Sequence, residues 1–205
     1  YSKIRLNWLK IANSIVVPNK ILQKKVIEFY GTEFKDNIKV IPQHYLDNLT
    51  NINIKNDDTI LELLHCGNMY QERKIDILVN TLSKSKSKSK IQIKFIGCHD
   101  KLDEDKSLAK RFNINCDFTL CYPFEDWSFS KSIPFEKIRK YMVNTDILLH
   151  IEYVAENNHF LSFKLIDYLS YNKPIITITQ KNTPNYYLSK ECGFAFGDIE
   201  NPEEL

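Results

Sequence analysis

Short, nearly continuous apolar runs alternate with stretches of helical periodicity along the whole chain. Runs of this kind suit strands buried on both faces of a parallel sheet. They predict strands at 14–17, 39–41, 60–65, 91–96, 117–120, 146–150 and 174–178, and a short closing strand at 193–196. Between them, apolar residues recur at helical spacing. Residues 20–30 carry Ile21, Leu22, Val26, Ile27 and Phe29 on one side, with Gly31 as a helix stop. Residues 74–83 place Ile75, Leu78, Val79 and Leu82 in the same way, and 135–143 do so with Ile138, Tyr141 and Met142. A helix over 161–171 runs into Asn172-Lys173-Pro174, a helix end followed by a strand start. The first residues, 1–8, read as an amphipathic helical stretch and not as a secretory signal. Strand and helix in alternation predict an α/β, doubly wound, mostly parallel sheet with helices on both faces, Rossmann-like.

Two stretches break the pattern. Residues 47–58 are polar, rich in Asn and without periodicity, and read as a linker. Residues 84–90 alternate Lys and Ser, a low-complexity basic run that reads as a solvated loop in preference to a phosphate site. The linker separates residues 1–46 from a main domain over 59–205. The first piece is too small to form a core alone, so it packs onto the main domain or belongs to something larger. At the other end Asn201 reads as a cap and Pro202 as the first position of a helix that the chain cuts short.

Composition narrows the partners more than the fold. Of 205 residues, 43% are hydrophobic and 26% charged, as in ordinary globular proteins. A net charge of +2 argues against nucleic acid or an anionic membrane as the main partner, so any phosphate must be recognised locally. No apolar run approaches the ~18 residues needed to cross a bilayer. The cysteines are Cys66, Cys98, Cys116, Cys121 and Cys192, with no Cys-x-x-Cys pair. That pattern predicts no zinc site or disulfide framework, but buried free thiols in a reducing cytoplasm.

In an open parallel sheet, ligands bind beyond the carboxyl ends of the strands. Cys66-Gly67-Asn68 follows one strand, and Gly67 lets backbone approach a ligand closely. Arg73 and Lys74 stand at the start of the next helix, where cations oppose the helix dipole. They serve either a bound diphosphate or a solvated basic turn. Cys121-Tyr122-Pro123 could offer backbone groups or a ring to a base. A polar loop at 152–159 leads to a helix start where the amides of Phe160, Leu161 and Ser162 suit a phosphate. Lys164 and Asp167 then share a helix face. A phosphate-binding lysine beside a hydroxyl-binding carboxylate is what a nucleotide needs; an intrahelical surface pair is the alternative, and spacing alone favours it.

Taken in order, these pieces resemble the C-terminal domain of glycosyltransferase family 4 (group 1), within the GT-B superfamily. Asn13-Ser-Ile-Val-Val-Pro-Asn19 and Lys39-Val-Ile-Pro42 resemble the last strands of its acceptor domain. His65-Cys-Gly67 resembles its glycine loop, and Lys94-Phe-Ile-Gly97 the next strand. Val143-Asn-Thr-Asp146 resembles the entry to a later strand. Ser162-Phe-Lys164-Leu-Ile-Asp167-Tyr-Leu, with Asn172-Lys-Pro-Ile-Ile176, resembles the donor-site helix, and Cys192-Gly193-Phe the closing strand. The resemblance covers most of the chain. It implies that residues 1–46 are the trailing part of an N-terminal acceptor domain and 59–205 the nucleotide-sugar-binding domain.

The resemblance further implies a retaining hexosyltransferase-type glycosyltransferase, moving sugar from a nucleoside-diphosphate sugar to an acceptor in bacterial polysaccharide or glycolipid synthesis. No cofactor and no metal ion are expected. Arg73 takes the place of the donor-phosphate lysine and acts with Lys164 on the leaving diphosphate. The amides of Phe160, Leu161 and Ser162 take the distal phosphate, and Asp167 the ribose hydroxyls. Gly67, Asn68 and Tyr122 complete the donor site. The acceptor, a saccharide or lipid-linked saccharide, would bind through the N-terminal domain. Expected locations are the cytoplasm or the inner face of the cell membrane, with at most peripheral association.

Three positions depart from the family's pattern. His159 stands where the first of its paired glutamates falls, with Glu156 one turn away, so either residue is the sugar contact. Asn68 replaces an arginine, and Pro42-Gln-His-Tyr-Leu replaces Pro-Asn-Gly-Val-Asp. Two other readings remain at this point: a GT-B-like sugar-nucleotide epimerase using His159 or Glu156 as acid or base, and a non-catalytic α/β binding module.

Overall fold

The structure is a computed structural model that describes residues 2–43, 60–69, 73, 75–84, 90–97, 102–111, 116–122, 134–153, 155–156 and 158–198. Its elements run α1 (Ser2–Ile11), β1 (Ile15–Val17), α2 (Lys20–Tyr30), a 3-10 turn (Thr32–Asn37), β2 (Ile38–Val40), β3 (Ile60–Cys66), α3 (Asp76–Lys84), β4 (Lys90–Ile96) and α4 (Leu102–Arg111). Then follow β5 (Cys116–Tyr122), α5 (Phe135–Asn144), β6 (Ile147–Ile151), α6 (Phe163–Leu169), β7 (Ile175–Thr179), α7 (Pro184–Cys192) and β8 (Ala195–Asp198).

Six strands form one parallel sheet in the order β5-β4-β3-β6-β7-β8. Chain order runs outward from β3 in one direction and from β6 in the other, so the sheet is doubly wound. The apolar runs bury both faces. Leu63, Ile93, Phe95, Leu149, Ile151 and Ile178 pack with Ile77, Leu78 and Val79 of α3. Their neighbours along the strands, Leu64, Ile96, Leu148 and Ile175, pack on the other face with Met142 of α5 and with Leu165 and Tyr168 of α6. Each such side chain contributes about 1.5–3 kcal/mol when fully buried.

Predicted strands shift by a residue or two at their ends, and the predicted helix over 161–171 is shorter, with a turn running from Ser170. Two helices lie outside the apolar pattern. Helix α4 is almost wholly polar but carries Asp103, Glu104 and Asp105 in its first turn and Lys110 and Arg111 in its last, each complementing the helix dipole. Helix α7 announces itself through its ends. Thr183 caps it by accepting from the Tyr186 amide, Pro184 opens it, and Gly193 closes it at φ 69°. Arg73 does not begin a helix: α3 starts at Asp76, and Lys74 lies outside the described residues.

Residues 2–43 form a small unit of their own, in which β1 and β2 pair in parallel. Val17, Phe34 and Ile38 are its buried centre, ringed by partly buried Leu6, Leu9, Leu22, Val26 and Ile27. The expected linker at 47–58, residues 85–89 of the expected loop at 84–90 and the capped helix start at 201 lie outside the described residues, while Lys84 belongs to α3 and Lys90 to β4. The thiols are not uniformly buried: Cys66 is buried, whereas Cys192 is exposed at the end of α7, where only one side of the helix meets the sheet. No described helix is long and apolar enough to cross a membrane.

Candidate functional site

The chain order of the sheet reverses between β3 and β6, the place where such sheets bind ligands. There the two strands part. Their register pairs are Leu63 with Ile147 and Leu64 with Leu148. Beyond these, side chains carry the links. The His65 Nδ1–H donates to the Leu149 carbonyl oxygen at 3.0 Å. The Cys66 amide donates to the Tyr168 hydroxyl on α6 at 2.9 Å.

Two glycines shape the opening. Gly67 follows β3 at φ 141° and its amide donates to the Ile96 carbonyl at 2.7 Å. Gly97 follows β4 at φ 134°. Both lie in the region that favours glycine. A Cβ on Gly97 would stand 2.6 Å from the Gly67 carbonyl oxygen, and a Cβ on Gly67 would collide with Lys164 Nζ. The amine of Lys164 therefore lies directly over the Gly67 backbone.

These groups open into a cleft of about 330 Å³. One wall is apolar, formed by Ile96, Phe135, Ile138 and Met142; the other holds Gly67, Asn68, Lys164 and Asp167. Lys164 and Asp167 face one space, and the lysine's charge is not spent on the aspartate. Its pKa is lowered to about 8 by burial and by the Arg73 cation, with Cys66 opposing. Partial burial raises the Asp167 carboxyl, which stands at the mouth and is otherwise exposed. Arg73 Nη1 donates to the Asn68 carbonyl at 2.8 Å. The same two cations, after burial, keep the ring of His65 well below its ordinary value and that of His150 near 3. Both histidines are neutral at physiological pH, so positive charge in this region resides on Arg73 and Lys164. An anion placed there would be attracted by both and would raise the Lys164 pKa.

A second cluster builds the adjoining loop. Glu152, at the carboxyl end of β6, is 3% exposed and, among the described residues, its hydrogen-bond partners are neutral. Burial raises its pKa, and the hydrogen bonds it accepts oppose the rise. Asn158 Nδ2 donates at 2.9 Å and Asn185 Nδ2 at 2.6 Å to Oε1. The Gln180 amide at 3.0 Å, Thr183 Oγ1 at 3.2 Å and Thr179 Oγ1 donate to Oε2. The two asparagines then fix the chain ahead of α6. Asn158 Oδ1 accepts the Phe160 amide at 3.1 Å, and Asn185 Oδ1 accepts the Ser162 amide at 2.8 Å.

The structure thus brings together Gly67, Asn68, Lys164 and Asp167. Arg73 does not line this cleft: it borders a neighbouring groove with Asp76 and the α4 residues Asp103 and Arg111, and reaches the site through its hydrogen bond to the Asn68 carbonyl. It sorts the remaining expected residues differently. Of the three loop amides, those of Phe160 and Ser162 are engaged by asparagines, and the Phe160 ring is 68% exposed. His159 does not line the cleft. Its carbonyl accepts from Asn19 Nδ2 at 3.0 Å, its ring stacks on Phe160 with centroids 5.8 Å apart, and it borders a groove along α2. Glu156 is exposed and also away from the cleft lining. Tyr122 ends β5, with its side chain outside the description. Glu152 and Tyr168 were not expected. Glu152 could have been found as the first residue past a strand's carboxyl end. Tyr168 reads in sequence as one more core residue of a helix.

No family model and no curated protein matches the chain. Solved structures do match in fold. Anabaena HepE in complex with UDP and glucose superposes with a TM-score of 0.62 at 13% identity, over 98% of this chain and 54% of that one. S. aureus TarM gives 0.61 at 13% identity, over 98% and 36%. The lipopolysaccharide outer core galactosyltransferase WaaB gives 0.58 at 15% identity, over 82% and 43%. The chain shares the fold of part of these GT-B glycosyltransferases and spans 36% to 54% of their length.

Proposed function

We propose that the chain is the donor-binding portion of a retaining GT-B glycosyltransferase of the family 4 type, which takes sugar from a nucleoside-diphosphate sugar. The observation that carries this reading is the meeting of Lys164, Asp167 and the Gly67 turn in one cleft at the point where the sheet's chain order reverses. HepE, a neighbour in fold, holds UDP and glucose, which supports the same ligand class here.

The chemistry follows from the charges. As the sugar leaves, negative charge develops on the diphosphate. Lys164, inside the cleft, is preplaced to stabilise it, and Arg73, held on the Asn68 carbonyl beside the cleft, adds a second positive charge from outside its lining; a half-buried setting makes their attraction stronger than it would be in water. Asp167, at the mouth, accepts from the ribose hydroxyls. The apolar wall of Ile96, Phe135, Ile138 and Met142 receives the flat base. No metal ion is required, because the two cations neutralise the leaving group. The acceptor is a saccharide or lipid-linked saccharide of polysaccharide or glycolipid synthesis, bound by a further domain at the cytoplasmic side. An epimerase reading needs an acid or base at the sugar, and its candidates, Glu156 and His159, lie away from the cleft lining.

Calorimetric titration with UDP, GDP and ADP tests this. The wild type binds at least one of them, and Asp167→Ala and Arg73→Ala each bind it at least about tenfold more weakly. A wild type that binds none of the three overturns the reading.

A further inference from the structure

We propose that Tyr168 is a positioning residue of the donor cleft, whose hydroxyl sets the distance between α6 and the Gly67 turn and so places the Lys164 amine. The proposal rests on the nucleotide reading above.

Tyr168 is 1% exposed and sits in an apolar cluster with Leu64, Ile96, Met142, Leu148 and Leu165. A phenyl ring would fill that space as well. A hydroxyl in such surroundings costs free energy unless it is hydrogen-bonded. Here it accepts the Cys66 amide at 2.9 Å and also interacts with the Cys66 side chain. Cys66 is the last residue of β3 and immediately precedes Gly67. On the β6 side the ladder has already ended, at Leu64 and Leu148, so the hydroxyl accepts an amide on the side that β6 has left, while β4 still pairs with Cys66 on the other.

The other end of the link is equally well placed. Tyr168 follows Lys164 by one helical turn and Asp167 by one residue. The residue that reaches the end of β3 therefore shares a rigid helix with both polar groups of the cleft. Because Lys164 Nζ lies against Gly67, a small outward drift of α6 moves the amine from the backbone into solvent. Removing the hydroxyl also takes away the acceptor that the buried Cys66 amide uses, which favours that drift.

The test compares wild type with Tyr168→Phe, titrated with UDP, GDP and ADP from about pH 6.5 to 9.5, a range that brackets a lowered lysine. Thermal unfolding is followed in parallel. The nucleotide that wild type binds is expected to bind the variant about tenfold more weakly. The pH at which binding falls should also rise, because Lys164 regains water as α6 relaxes. A hydroxyl with a merely structural role would lower the unfolding temperature and leave affinity and pH midpoint unchanged. That outcome, or weaker binding with an unmoved midpoint, overturns the proposal. Should Tyr168→Phe not fold, 4-fluorophenylalanine at position 168 fills the hydroxyl's volume without accepting well and is read the same way. A wild type that binds none of the diphosphates removes the nucleotide reading and this proposal together; wild-type binding with an unaltered variant removes this one alone.

Discussion

Asn19 and His159 are joined by a hydrogen bond from the Asn19 Nδ2 amide to the His159 carbonyl oxygen at 3.0 Å. It ties the start of α2, in the small unit, to the loop that leads into α6. The same asparagine caps α2, its Oδ1 accepting the Leu22 amide at 2.8 Å. The two roles separate by substitution. Asn19→Asp keeps the cap and sets an acceptor against the His159 carbonyl; Asn19→Ala loses both bonds. Thermal unfolding should show Asn19→Ala destabilised by about 1–2 kcal/mol and Asn19→Asp by about 1 kcal/mol. An unaltered Asn19→Asp would show that the link to His159 contributes nothing to stability.

Glu152 is the hub of the loop ahead of α6, and its removal strands several buried donors at once. Glu152→Ala should cost about 3 kcal/mol or more in denaturant unfolding. The pH dependence has a definite sign. Burial raises the folded pKa above the ordinary 4.5, so this group's contribution is full below that value and is lost as pH rises through the folded one. The stability difference between wild type and Glu152→Ala is therefore larger at about pH 5 than at about pH 8. A difference that grows with pH would contradict the assignment.

Gly67→Ala drives a methyl group into Lys164 Nζ at a backbone angle that L residues rarely adopt. The lysine can swing away, so folding survives at a cost of about 1–3 kcal/mol while diphosphate affinity falls about tenfold or more. Gly97→Ala meets backbone instead, at 2.6 Å from the Gly67 carbonyl, and has no such escape. It should be the more destabilised of the two. The comparison is read from unfolding midpoints and titration of each variant.

Lys164, with its pKa lowered to about 8, loses its proton within an accessible range. Affinity for a diphosphate should hold below that pH and decline above it. Because the folded value lies below the unfolded one, the ligand-free protein should gain stability from this group as pH rises from about 8 towards 10.5. Lys164→Met should bind weakly at every pH and show neither trend. Wild-type affinity that is flat across this range would place the lysine outside the anion's reach.

The sheet and most of its helices were legible because burial on both faces writes itself as unbroken apolar runs, as in 91–96 and 174–178. Helix α4 was not, since it rests on the sheet through little more than Ala109 and partly buried Leu108 and is otherwise written in charges. The cleft was half legible. Gly67, Lys164 and Asp167 occupy positions that the carboxyl-end rule selects. Spacing could not show that Lys164 lies over Gly67, nor that Asn158 and Asn185 would take two of the loop amides. By count His159 fell on the family's first glutamate, with Glu156 one turn away, yet the hydrogen bonds of Glu152 and Asn19 set the path of their loop, and a count along the chain carries no information about them.

The arrangement of β3 between β4 and β6 also orders events in time. Pairing β3 with β4 closes a short stretch of chain, whereas pairing β3 with β6 joins residues such as Leu64 and Leu148 across a much longer one. Closing the longer loop costs more entropy and comes more slowly. The contacts that make the cleft, Cys66 with Tyr168 and Gly67 with Lys164, all span that later junction. An early folding intermediate built on β3, β4 and β5 would therefore have half a sheet and no cleft. Nucleotide added during refolding should leave the first phase unchanged and act only after the two halves of the sheet have met.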